Sequence, residues 1–163
     1  MTEEEFWKLI NRSRREIKDC EEQSGKLTEL LARLEPKEII DFHQHLYERE
    51  IEAYRYDIWA VAYLINGGCS DDGFVYFRGW LIAQGKEFFY AVLENPEYAA
   101  TKVKNEEVEC EAIYYVAQDV YEEKTGEELP PSRLKYPSDA IGIRWKEDDL
   151  EKMYPKLYKR FFS

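Results

Sequence analysis

Between Pro36 and Gly67 the chain runs through residues 37–66 without a glycine or a proline. No other feature restricts the fold as much, because a run this long without a breaker favours helix over any turn-rich β architecture. Pro36 suits the first turn of a helix, where its missing N–H costs nothing. Unbroken, residues 38–65 make a rod of about 28 residues and about 42 Å. Ile40, Tyr47, Ile51, Tyr54, Ile58, Val61 and Ile65 keep one helical phase along it. A break near Asp57 is the alternative, since aspartate is also a good N-cap. The second half of the run, IWAVAYLI, is apolar nearly all round and belongs at the centre of the fold.

The neighbouring segments read the same way. Thr2 and Glu5 form a capping box that starts a first helix, with Phe6, Leu9, Ile10 and Ile17 as its apolar positions and Gly25 as its break. A short helix over Lys26 to Leu34 follows. In NGGCSDDG, Gly67 ends the long helix in the left-handed conformation and Gly68 turns the chain. Ser70 then caps a second apolar helix, whose first-turn acids Asp71 and Asp72 meet the positive end of its dipole. Gly85 closes that helix. Residues 86–94 make a short helix, 105–124 a long amphipathic one, and TGEELPPSRLKYPSDAIG a loop. WKEDDLEKMYPKLYKRFF gives a short helix, a restart at Pro155 and a terminal turn. The expectation is one all-α domain over 1–163, a bundle of about six to eight helices around a central apolar pair.

Charge narrows the function classes. The net charge of −11 disfavours nucleic acid and membrane surfaces, and the short basic stretches NRSRR and KLYKRFF read as solvated helix faces. Aromatic residues make up 15% of the chain, thirteen of them tyrosines, so buried hydroxyls should form internal polar networks. Cys20, Cys69 and Cys110 show neither zinc spacing nor a disulfide framework, which points to reduced thiols and a cytoplasmic protein. The opening MTEEEFWKLINRSRRE is charged throughout and lacks the apolar core of a signal peptide. No run reaches membrane-spanning length.

Three constellations could carry chemistry. His43, Glu50 and Asp57 are spaced seven apart with Tyr47 and Tyr54 between them, so an imidazole and carboxylates share a seam beside the apolar stripe. The plainer reading is a satisfied core histidine with carboxylates edging the stripe. Arg78 projects among Phe74, Val75, Leu81 and Ile82 and must be paired or line a pocket, because an unpaired buried charge is costly. Asp71 lies about 10 Å away along the axis, so the partner should come from another helix, and the polar ladder is the natural supplier. Asp71 and Asp72 could offer oxygens to Mg²⁺ but point about 100° apart and cannot converge alone. No metal and no cofactor is called for. H-x-H at His43 and His45 splits the rings around a helix, and no E-x-x-H, G-x-S-x-G, P-loop or dinucleotide fingerprint occurs. Cys69 beside Ser70 is a conceivable nucleophile without a placed base.

FWKLI, YRYDIWAVAYLINGGCSDDGFVYFRGWLIAQGKEFF, AIYYVAQDVYEEKTG and RWKEDDLEKMYPKLYKRF together resemble the bacterial family catalogued as domain of unknown function 4240. The resemblance runs nearly the whole length and implies a compact domain with no assigned activity. Its motif includes the positions of Asp57, Trp59, Asn66, Asp71, Asp72, Arg78 and Trp80, and assigns none of them a role.

Two readings of function remain. One is a small acidic interaction module, regulatory or immunity-type, for a protein partner with a basic surface. The other is an enzyme or small-ligand domain with its site where helix 37–65 meets the NGGCSDDG turn. There Arg78 would hold an anionic group, with His43, Asp57 or Asp71 as base or metal ligand, and Tyr47, Glu50, Tyr54, Asn66 and Asp72 around them. Nucleotide or nucleic-acid handling through the basic C-terminal end ranks last on charge.

Overall fold

The computed structural model of the chain describes residues 1–104 and 107–162. Helices α1 (Glu3–Ser13), α2 (Cys20–Ala32), α3 (Pro36–Glu52), α4 (Tyr56–Asn66), α5 (Asp71–Ala83), α6 (Lys86–Glu94) and α7 (Val116–Thr125) carry the architecture. A 3-10 segment, Pro96–Lys102, follows α6, and another, Ala112–Tyr114, leads into α7. The C-terminal end adds short α8 (Leu150–Met153), α9 (Pro155–Leu157) and a π-helical turn, Tyr158–Phe162. The domain is all-α, and among the described residues the only β pairing is an isolated bridge between Arg55 and Ile141.

Local chemistry sets the helix ends. The Thr2–Glu5 capping box starts α1 with both reciprocal bonds made. Ser70 caps α5 by accepting from Gly73 N at 3.1 Å, and Gly67 ends α4 with φ at 67°. Gly25, by contrast, does not break the first helix. It sits inside α2, which starts six residues before the predicted Lys26 because Asp19 caps it, accepting from Glu22 N at 2.9 Å. The break falls instead before Asp19, where Glu16 takes a φ of 53°. A mid-helix glycine costs about 1 kcal/mol, which the capped start and the buried face of Gln23, Ser24, Leu27 and Leu31 offset.

The helix predicted over 105–124 is shorter. Residues 105–106 lie outside the described residues, 107–111 are not helical, and α7 begins at Val116. Residues 107–111 are held instead against α4 and α5. Asn66 pairs with the backbone of Val108 through both its amide atoms, at 3.0 and 2.9 Å, and Cys110 N donates to Tyr76 O at 2.9 Å. Gly79 makes this approach possible: a Cβ there would stand 2.6 Å from the Cys110 carbonyl oxygen.

The central pair is α4 and α5. Ile58, Val61 and Leu64 of α4 and Phe74, Phe77, Leu81 and Ile82 of α5 are completely buried, each contributing about 1.5–3 kcal/mol. The long rod does break, at Ala53–Arg55, and α3 takes a different rotation from the one predicted. Its buried face is Ile39, Phe42, Leu46, Arg49 and Glu50, while Ile40, Tyr47 and Ile51 are half-buried. This rotation serves α1 and α7 on either side and lets Arg49 reach Glu3 of α1 at 3.2 Å.

The cysteines are not all reduced. Cys20 at the start of α2 is disulfide-bonded to Cys110, with a Cα–Cα distance of 5.5 Å, and Cys69 alone is free. Ninety residues separate the pair, so no local spacing announces it. The bond also removes reduced thiols as an argument for a cytoplasmic location. No helix among the described residues is long and apolar enough to cross a membrane. Closing a loop of this length restricts the unfolded chain, so the Cys20→Ser/Cys110→Ser variant should lose about 2–4 kcal/mol of stability. Thermal melts of the oxidised protein, the reduced protein and the variant test this, with the last two expected to coincide below the first.

Candidate functional site

The break between α3 and α4 organises the residues around it. Ending α3 leaves its last carbonyls without helical partners. The Glu50 carbonyl accepts from Arg78 Nη1 at 2.8 Å. The Tyr54 carbonyl accepts from Ile141 N at 3.0 Å, and Ile141 returns its own carbonyl to Tyr56 N at 2.9 Å. The loop over 126–146 is thereby fixed across the break.

Arg78 is 1% exposed. Besides the Glu50 carbonyl, it donates from Nε to Phe74 O at 3.2 Å and from Nη2 to the Tyr136 hydroxyl at 2.8 Å. The Tyr136 hydroxyl in turn donates to Glu50 Oε1 at 3.2 Å, and that carboxylate stands 4.0 Å from Nη2. The rings of Tyr54 and Phe74 each lie 4.5 Å from the guanidinium carbon. The ion is therefore consumed by its surroundings and has no face left for a ligand. Burial pushes the Glu50 carboxyl up, and Arg78 and then the Tyr136 hydroxyl pull it back in part.

Of the residues singled out from sequence, Glu50, Tyr54 and Arg78 come together, and Tyr47 joins them through an edge contact of 5.7 Å with Tyr136. The rest do not. His43 is half-buried on α3 with its Nδ1 unbonded, and burial lowers its pKa. Asp57 lies beyond the break, held by Arg55 at 3.0 and 2.7 Å and by its own helix's Ile58 N at 2.8 Å. Asn66 holds residue 108. Asp71 and Asp72 are exposed in the first turn of α5, and among the described residues no group of three acids, histidines or cysteines is placed to hold a metal. Two central residues escape a sequence reading. Tyr136 lies in a loop without periodicity. Arg49, 5% exposed, gathers Glu3, Glu48 and Glu52 within 3.6 Å; its signal was the acid at the start of α1, forty-six residues away.

Beside this ionic centre the surface opens into a cleft of about 540 Å³. Tyr54, Tyr56, Trp59 and Tyr63 make its floor, and Ser138, Asp139, Arg144 and Trp145 of the loop make its wall, with Cys69 and Asp71 at the end. Tyr56 and Trp59 stack with an interplanar angle of 7°, and Trp59 continues onto Phe74 at 4.8 Å. Trp59 Nε1 donates to Cys69 O at 2.9 Å and Trp145 Nε1 to Tyr56 O at 2.7 Å, so corner and wall are both pinned to α4. Asp139 accepts from the Tyr56 hydroxyl. The Cys69 thiol is pushed up by burial to about 12, which leaves it protonated and unreactive at neutral pH.

These features define a helical domain with a buried guanidinium at its centre and an aromatic cleft on one side. The chain belongs to the family described as protein of unknown function (DUF4240), whose model matches residues 1–123. That match stops short of RWKEDDLEKMYPKLYKRF, so the family assignment covers less of the chain than the near-complete resemblance implied. No curated protein and no solved structure matches the chain.

Arg78→Met should cost about 3–5 kcal/mol, because it leaves Glu50 and Tyr136 buried without their cation. The loss has a defined pH dependence. A carboxyl whose folded pKa is raised contributes stability that is complete below its unfolded pKa and is lost as pH rises through the folded one. Removing Arg78 removes the main downward pull on Glu50, so urea melts should show a larger deficit at pH 7 than at pH 4.5.

Proposed function

We propose that this domain is a protein-binding module whose aromatic cleft receives a lysine or arginine side chain from a basic partner surface. The observation that carries the reading is the chain's own Arg144, whose guanidinium carbon sits 5.7 Å above the Tyr56 ring. The same side chain is bonded to the Tyr56 hydroxyl at 3.0 Å and lies 3.5 Å from Asp139. The cleft thus already holds a cation by ring face and carboxylate together, the two contacts that select positive charge. Asp71 supplies a second carboxylate at the end of the floor. Ile141 and Ile143 beside the wall are 61% and 90% exposed, which adds apolar surface next to the charged rim. A net charge of −11 steers basic proteins toward this face. The module acts as a regulator or as an immunity-type mask of its partner, in either redox compartment.

A tetra-arginine peptide is the simplest probe, read through the fluorescence of Trp59 and Trp145. Binding should weaken with salt, and Asp71→Asn/Asp139→Asn should reduce affinity about tenfold, a loss of about 1.4 kcal/mol. Asp148→Asn/Glu151→Gln removes the same charge outside the cleft and should leave affinity nearly unchanged. Equal weakening by both pairs, or no binding at low salt, would falsify the cleft as the receptor.

A further inference from the structure

A second groove reverses the sign of the molecule. It lies where α1 passes α6 and the 3-10 segment Pro96–Lys102, with a volume of about 640 Å³. Lys8, Arg14, Lys86 and Lys102 line it against two acids, Glu4 and Glu87. This is a local excess of cations on a chain with 34 acidic and 23 basic residues. Lys8 is paired with Glu4 at 3.6 Å. Arg14, Lys86 and Lys102 form no ion pair within 4 Å with any described residue.

Arg14 and Lys102 line the same groove. Partial burial, and then the charge of Arg14, lower the pKa of the Lys102 ammonium. That ammonium stands over the Phe88 ring, 4.5 Å from its centre. Two cations that share a groove with no described acid within 4 Å of either cost electrostatic energy that an anion between them would recover. α6 starts at this groove without a side-chain cap, so its first N–H groups have no helical acceptor. The amides of Asn11 and Gln84 edge the groove, and Tyr98, 44% exposed, offers a ring at its rim.

We infer that this groove binds the phosphate dianion of a small phosphomonoester, with Arg14 and Lys102 as its two cationic contacts and Tyr98 flanking the organic part. Four cations and two acids leave the groove lining two positive charges in excess, which a dianion matches better than a carboxylate does, and Arg14 can meet two phosphate oxygens at once. This site shares no residue with the aromatic cleft, so it stands or falls separately from the protein-binding reading.

Adenosine monophosphate is the probe, with adenosine as its uncharged counterpart, followed by calorimetry and by amide and lysine-amine NMR. The monophosphate should bind at least about tenfold more tightly than adenosine, and Arg14→Gln and Lys102→Gln should each weaken it at least about tenfold, as expected for loss of a charge-assisted contact. Saturation should also raise the pKa of the Lys102 amine, a response that a purely structural lysine would not give. Equal responses to the monophosphate and the nucleoside, including none, would overturn the inference, as would wild-type affinity in either folded variant.

Discussion

The fold depends on how it accommodates one buried guanidinium. A helix rich in aromatic and aliphatic residues carries Arg78 into the centre of the molecule, where an unpaired charge would be prohibitive. The solution draws on three separate parts of the chain. The end of α3 supplies a free carbonyl at Glu50, α5 supplies the Phe74 carbonyl, and the loop supplies the Tyr136 hydroxyl. The negative end of a helix dipole is a favourable place for a cation. The break that ends α3 and the burial of Arg78 thus stabilise each other, and neither is intelligible alone.

This interdependence marks the limit of what the amino-acid order reveals. Helix ends governed by neighbours were legible: the Thr2–Glu5 box, the Ser70 cap and the glycine at 67 each act within a few residues. The break at Ala53–Arg55 was not settled, because Ile141 is the residue that bonds across it. The rotation of α3 was misread because Ile40, Tyr47 and Ile51 form as good an apolar row as Ile39, Phe42 and Leu46. The second row wins by facing α1 and α7, and Arg49 on that side is tolerated only because carboxylates surround it. The Cys20–Cys110 bond depends on Gly79 admitting a distant segment to the flank of α5.

The candidate polar site was legible as a neighbourhood and not as a geometry. Arg78 needed a partner from another helix, and Glu50 is there, yet the carboxylate is the more remote of its acceptors and a tyrosine stands between them. The aromatic cleft was legible only in part. Tyr54 and Asp71 belong to the candidate site, whereas Trp59 and Tyr63 lie in the segment read as central core and are half-buried at its floor, and Ser138 and Asp139 come from a loop without periodicity.

The loop that supplies Tyr136 to the centre also forms the wall of the cleft, and the bridge at Ile141 fastens it midway. Pulling that wall outward would therefore uncover the ion beneath. The cleft wall is stiff for an internal reason. On the proposed protein-binding reading, a guest would meet walls already in place, so little affinity would go to ordering the host and discrimination would rest on shape and charge at first encounter.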